Sequence, residues 1–221
     1  QDPSYFEMDD GSFYYPIGHN IASVGDARAE KMGVQISDRE GTYAYDRFLS
    51  RMSENGENFG RIWLTPWSFE LEWSKAYQHH FSGLGRYSQY NSWRLDHVLE
   101  TAEDHGVYLM MLIASHGEIT TYESNFNGGK DEHGNHHPEW GSPYWTRNGG
   151  PLESPNTFYT NSEVRRLYRR QVRYIVARWG YSTSVMAWEL LNEPDLHKPF
   201  NPRGSLSGVF GEQCASFVSE M

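Results

Sequence analysis

Residues 185–194 read VMAWELLNEP, an apolar-rich run from Val185 to Leu191 closed by Asn192, Glu193 and Pro194. A short run of this kind predicts a buried strand, with the Asn-Glu-Pro triplet at its C-terminal end. Upstream, Asn161 predicts the cap of a helix that runs through Trp179. Its buried stripe is Val164, Leu167, Tyr168, Val172, Ile175 and Val176, its wet face carries arginines, and Gly180 ends it. Before it lies a polar segment, 118–160, rich in Gly, Asn, His, Pro and aromatics. A compact domain rarely keeps so long a connection unless it shapes a site, so it reads as a loop over a pocket. Residues 107–115 (VYLMMLIAS) form a nearly continuous apolar run, the pattern of a parallel strand covered on both faces.

The alternation continues toward the N-terminus. A helix is predicted over 92–105, with Leu95, Val98, Leu99 and Ala102 on one face and Gly106 as its cap. A strand over 58–67 (NFGRIWLTPW) stops at Pro66, a helix over 42–55 ends in Asn55-Gly56, and a first strand covers 14–20 (YYPIGHN). The last ten or so residues begin a fourth helix. Four βα units in succession imply a parallel sheet with right-handed crossovers, either doubly wound or closed into a barrel. A dinucleotide-binding sheet would need a Gly-rich fingerprint after its first strand, where this chain has Ile17-Gly18-His19-Asn20. The barrel is therefore favoured: an α/β fold, a (β/α)8 TIM barrel of which residues 1–221, as one domain, carry about the first four β/α units.

The 8 Trp, 15 Tyr and 11 Phe exceed what four short strands need for packing, so some rings are expected to face a ligand. A formal net charge of -10 argues against nucleic acid and against an anionic membrane surface, and favours a neutral or cationic partner. No apolar run approaches the roughly 20 residues that span a bilayer. Cys214 is the sole cysteine, which excludes an intramolecular disulfide and a zinc-thiolate cluster. No cofactor is expected.

In a βα barrel the working residues close the strands at their C-terminal ends. Here these are His19 and Asn20, Trp67, His116, and Asn192 with Glu193. A Glu in that position acts as a general acid when apolar neighbours such as Trp188, Leu191 and Pro194 raise its pKa. The segment AWELLNEP (187–194) resembles the fourth-strand signature of the clan A glycoside hydrolases, the cellulase- and mannanase-like, family 5-like barrels. FYYPIGHNI (13–21, preceded by YFEMDDG), FGRIWL (59–64) and YLMMLIASHG (108–117) fall in the family's order, so the similarity covers nearly the whole chain.

The resemblance implies hydrolysis of β-linked poly- or oligosaccharide with retention, Glu193 being the acid/base and Asn192 binding the substrate 2-hydroxyl. It further implies that Arg61 supports the nucleophile, that His116 lines the reactive subsite, and that the nucleophilic Glu ends a seventh strand outside this chain. Glu189 shares the strand parity of Glu193 but lies four residues down, roughly 13 Å at strand rise, so it is expected to be a paired structural residue, with Arg61 as candidate partner. Glu118 is held only as a reserve acid.

Among the tryptophans, Trp67 and Trp145 are the preferred sugar-stacking platforms, while packing is the alternative for these and for Trp63, Trp73 and Trp140. Asn20 is a further candidate substrate contact. His133, His136 and His137 raise a metal reading, but a polar loop cluster more often faces solvent or substrate, so no metal is expected. Arg165, Arg166, Arg169, Arg170 and Arg173 read as a solvated or barrel-rim face. A polymeric substrate implies a secreted or periplasmic protein, its signal peptide already removed. The rival reading is a non-catalytic carbohydrate-binding or structural half barrel. Its two exposed sheet edges would make it self-associate or pair with a second chain.

Overall fold

A computed structural model describes residues 5–22, 41–73, 80–119, 129–130, 133–194 and 208–221. At its N-terminus β1 (Phe6–Glu7) and β2 (Phe13–Tyr14) form an antiparallel hairpin, followed by β3 (Gly18–Asn20). After β3 come α1 (Ala44–Glu54), β4 (Phe59–Trp63), α2 (Gln89–Asp104) and β5 (Tyr108–Ala114). A second small hairpin, β6 (Gly129–Lys130) with β7 (His136–His137), precedes α3 (Ser162–Trp179), β8 (Val185–Leu191) and α4 (Gly208–Ser219).

The central sheet is parallel, in the order β3-β4-β5-β8, so each strand pairs with the next βα unit's strand. That order, without a reversal, is the topology of a barrel and not of a doubly wound sheet. Along β4 burial alternates. Gly60 and Ile62 are buried toward the helices, while Phe59, Arg61 and Trp63 are only partly covered on the inner face. On β5, Leu109, Met111 and Ile113 join the same helix-side core, which also holds Leu49, Met52, Leu95, Val98, Leu99, Ile175 and Trp179.

The predicted first strand is two pieces. Pro16 has no N–H to donate, so β2 turns away into the hairpin and the parallel ladder restarts at Gly18. Asn58 bridges the break: its side-chain oxygen accepts from the Ile17 N–H (2.8 Å) and its amide donates to the Tyr15 carbonyl (3.1 Å). At Gly18 the backbone of β4 is so close that a Cβ would fall 1.5 Å from the Phe59 carbonyl oxygen.

α2 starts three residues earlier than the apolar periodicity predicts, because the Ser88 hydroxyl caps it by accepting from the Asn91 N–H. α3 matches the expectation, Asn161 accepting from the N–H groups of Glu163 (2.9 Å) and Val164 (3.1 Å). Its stripe departs at one position: Val176, one residue past the buried Ile175, is rotated out to 45% exposure, and Trp179 completes the core instead. The Trp179 indole and the Arg178 guanidinium both bind Asp96 of α2, at 2.8 Å and 2.6–3.0 Å. Much of the described part of 118–160 is packed and not an open connection. Tyr144, Trp145, Leu152, Phe158 and Tyr159 are buried in the main core, so these four aromatic rings are used for packing.

Candidate active site

β8 delivers the motif. Its last ladder residue, Leu191, pairs with Ala114, and the Asn192 N–H still donates to the Ala114 carbonyl (3.0 Å), so the side chain of Asn192 is fixed over the rim of β5. The next residue leaves the strand abruptly. Glu193 has φ 45°, and it is the one non-glycine residue with positive φ among those described. That left-handed conformation costs a residue with a Cβ about 1–2 kcal/mol and turns the carboxylate away from the strand direction.

Three groups converge on Asn192. Arg61 Nη2 donates to Asn192 Oδ1 (2.7 Å), which settles the amide orientation because a guanidinium cannot accept. Both amide hydrogens then point outward, one to Glu193 Oε2 (3.0 Å) and one to His116 Nδ1 (2.9 Å). His116 therefore accepts at Nδ1 and carries its proton on Nε2 when neutral. If protonated it becomes an ion-pair partner of Glu193, whose Oε2 lies 3.1 Å from Nδ1. The Glu193 side chain remains 53% exposed, so it can reach a ligand from this anchored position.

Arg61 is itself held from below. Its Nε and Nη2 form a fork onto the two carboxylate oxygens of Glu189, each at 2.6 Å. By register Arg61 stands opposite Met110 and Ala187, so its side chain leans two residues up the sheet and across β5 to reach Glu189. The predicted Arg61–Glu189 pairing is present and explains why Glu189 is structural. His116 is positioned by the turn after β5, where the Ser115 N–H and hydroxyl both contact Glu118 Oε1 (2.9 and 3.3 Å). Glu118 is thereby spent on the backbone and buried, which removes it as a reserve acid.

The remaining predicted site residues are more scattered. Asn20, on β3 opposite Arg61, has a buried Oδ1 with no hydrogen-bond partner among the described residues. Trp67 stands past the end of β4 with 54% of its surface exposed. Trp145 does not offer an open ring face. It is 8% exposed in the core, bridged to Leu152 and covered by the Arg147 guanidinium at 5.0 Å, which corrects the stacking expectation for that residue. His137 stacks on Trp140 (4.1 Å), and no cluster of three metal-ligating side chains occurs among the described residues.

A buried acidic group that was not singled out in the sequence follows β4 and β5. Glu70, Glu72 and Glu118 are all buried, with burial raising each carboxyl: Glu72 to about 7, Glu118 to about 8, and Glu70 well above the usual carboxylate range. Glu70 Oε1 accepts from the Leu71 and Glu72 N–H groups and from Gln171 of α3. The signal was present in Phe69-Glu70-Leu71-Glu72-Trp73, where two acids are interleaved with large apolar residues that the fold buries.

No protein-family model matches the chain. Over 101 residues it is 32% identical to a probable mannan endo-1,4-beta-mannosidase A of Aspergillus clavatus, covering 46% of this chain and 22% of that protein. Over 181 residues it is 25% identical to the mannan endo-1,4-beta-mannosidase 2 of Arabidopsis thaliana, covering 78% of this chain and 36% of that protein. The chain thus spans well under half the length of these curated relatives. Among solved structures it superposes on an exo-beta-1,4-mannosidase from Opitutaceae bacterium strain TAV5 with a TM-score of 0.60 at 16% identity, over 100% of this chain and 31% of that one. An endo-glycoceramidase II from Rhodococcus sp. gives 0.58 at 21% identity, over 99% and 47%.

The fold is therefore part of a (β/α)8 barrel. Over part of its length the chain is similar to curated proteins named as mannan endo-1,4-beta-mannosidases.

Proposed function

We propose that this chain is the acid/base half of a retaining glycosidase that cleaves the backbone of a β-1,4-linked mannan-type polysaccharide, with Glu193 as acid/base. The observation that carries the reading is the Glu189–Arg61–Asn192–Glu193 chain of hydrogen bonds, with His116 closing it from β5. It supports a carboxyl group that is exposed to a ligand yet held in one orientation. The relatedness to mannan endo-1,4-beta-mannosidases supports the substrate class.

In the first step a carboxylate nucleophile attacks the anomeric carbon while protonated Glu193 gives its proton to the glycosidic oxygen. In the second, Glu193 removes a proton from the water that releases the sugar. The two carboxyl groups must lie about 5 Å apart. Glu189, tied to Arg61, and buried Glu118 are unsuited, so the nucleophile belongs to strands beyond the four described. β8 has a strand neighbour on one side only among the described residues, and those further strands would pair along its other side. Asn192 meets a substrate hydroxyl by giving up the N–H it now shares with Glu193 or His116. Asn20 contributes its buried oxygen, and exposed Trp67 stacks on a pyranose outside the reacting subsite. Action on a polymer also favours a secreted or periplasmic location.

Replacing Glu193 by Gln in the complete protein keeps the shape and removes the proton. Turnover of mannan should fall by about 10²–10⁴-fold with the fold unchanged. Near-native turnover would overturn the assignment.

A further inference from the structure

The arginine row of α3 does not behave as one solvated face. Arg165 and Arg169 turn to the C-terminal end of α4, and both pair with Glu220 just beyond it. Arg166 and Arg170 turn the other way, onto a solvent-open pocket of about 630 Å³ lined also by residues 84–86 and 149–151. Arg86 joins them from the 84–86 turn, so three guanidiniums share the cavity with a single carboxylate, Glu163. Glu163 is committed to Arg166 through a two-point pair at 2.6 and 2.8 Å. Neither Arg86 nor Arg170 forms a direct salt bridge among the described residues, and Arg170 lies over the Tyr87 ring (5.9 Å) near the buried Glu72 carboxyl.

The rest of the lining lets a ligand come close. Gly85 and Gly149 occupy the left-handed region (φ +74° and +88°), and with Gly150 they present bare backbone. A Cβ at Gly85 would stand 3.5 Å from Arg170 Nη1, which places this turn in van der Waals reach of that guanidinium. Behind Arg170 lies Glu72, whose carboxyl burial keeps protonated up to about 7, so below that pH Arg170 is not neutralised from inside. A positive cavity in a chain of net charge -10 is not a consequence of overall composition.

We propose that this cavity is a binding site for an oxyanion, a carboxylate, sulfate or phosphate group, carried on a molecule of about monosaccharide size. Arg86 and Arg170 grip the anion, since a guanidinium fork matches the paired oxygens of such groups. The volume exceeds what an inorganic ion fills and falls in the range of small-ligand sites. This inference is independent of the catalytic reading, because it uses none of the residues around Glu193.

The test is a titration of the nitrogen-15-labelled protein at pH 6 and fixed ionic strength with glucuronate, inorganic sulfate and neutral glucose. Saturable shifts at the amides of Gly85, Gly149 and Gly150 are expected with the anions and not with glucose. Tighter binding of glucuronate than of sulfate is expected, and equal or tighter binding of sulfate would overturn the sugar-sized carrier. Arg86→Ala and Arg170→Ala should each weaken binding by about tenfold or more, whereas Arg173→Ala, on the same helix but outside the cavity, should not. The proposal is overturned if those glycines show no saturable shift with either anion, or if Arg173→Ala weakens binding as much as the cavity variants do.

Discussion

Raising the pH should destabilise this protein through its buried acids, and Glu72 allows the effect to be isolated. Its carboxyl titrates near 7 in the fold against 4.5 for an ordinary Glu, because burial penalises the charged form and the Arg170 guanidinium offsets this only in part. The folded state therefore holds the proton more tightly than the unfolded chain. Below pH 4.5 both states are protonated and the stability is complete. Between 4.5 and 7 the unfolded chain ionises first and stability is lost, and above 7 the loss is constant. The interval corresponds to about 3 kcal/mol at 1.36 kcal/mol per unit, and Glu118, raised to about 8, extends the decline further.

Glu72→Gln cannot ionise. Whatever constant cost the amide carries, the stability of the variant relative to wild type should rise by about 3 kcal/mol between pH 4.5 and pH 8, which for a chain of this size is roughly 6–12 °C in Tm. Urea denaturation across that range measures it directly. If the two proteins show parallel pH profiles, within about 0.5 kcal/mol, the carboxyl is already ionised in the fold and the reasoning fails.

Two further outcomes follow from single contacts. Asn161→Ala removes the acceptor for two helix N–H groups and should cost about 1 kcal/mol in urea denaturation, with activity per folded molecule unchanged. Arg61→Lys cannot reproduce the fork onto Glu189 together with the bond to Asn192, so kcat should drop by about tenfold or more with a smaller change in KM, and an unaltered kcat would remove Arg61 from the positioning chain.

The parts of the architecture that could be read from sequence are those where local chemistry and tertiary packing agree. The 107–115 run and the Asn161 cap predict β5 and α3 to within a residue, because both are buried or capped by their own sequence. Pro16 is readable as a break only once β3 is known to lie against β4, and Ser88 is hidden because the first turn of α2 is polar. For the site, the strand-end rule singles out Asn192, Glu193 and His116, which the structure brings together, while Arg61, suggested only by the family resemblance, reaches Asn192 from within β4. Trp145 was misread because an aromatic residue has the same appearance in sequence whether it packs or stacks, and only burial separates the two. The positive φ of Glu193 and the acids at 70 and 72 depend on backbone geometry and burial that no local pattern specifies.

The most direct test of the central claim compares leaving groups in Glu193→Ala. A 2,4-dinitrophenyl mannooligosaccharide needs no proton to depart, whereas mannan does. With Glu193 as acid/base, kcat/KM should fall by about 10²–10⁴-fold on mannan and change little on the activated substrate, and azide should restore kcat by replacing the base-assisted water. An equal loss on both substrates, with no response to azide, would contradict the assignment of Glu193.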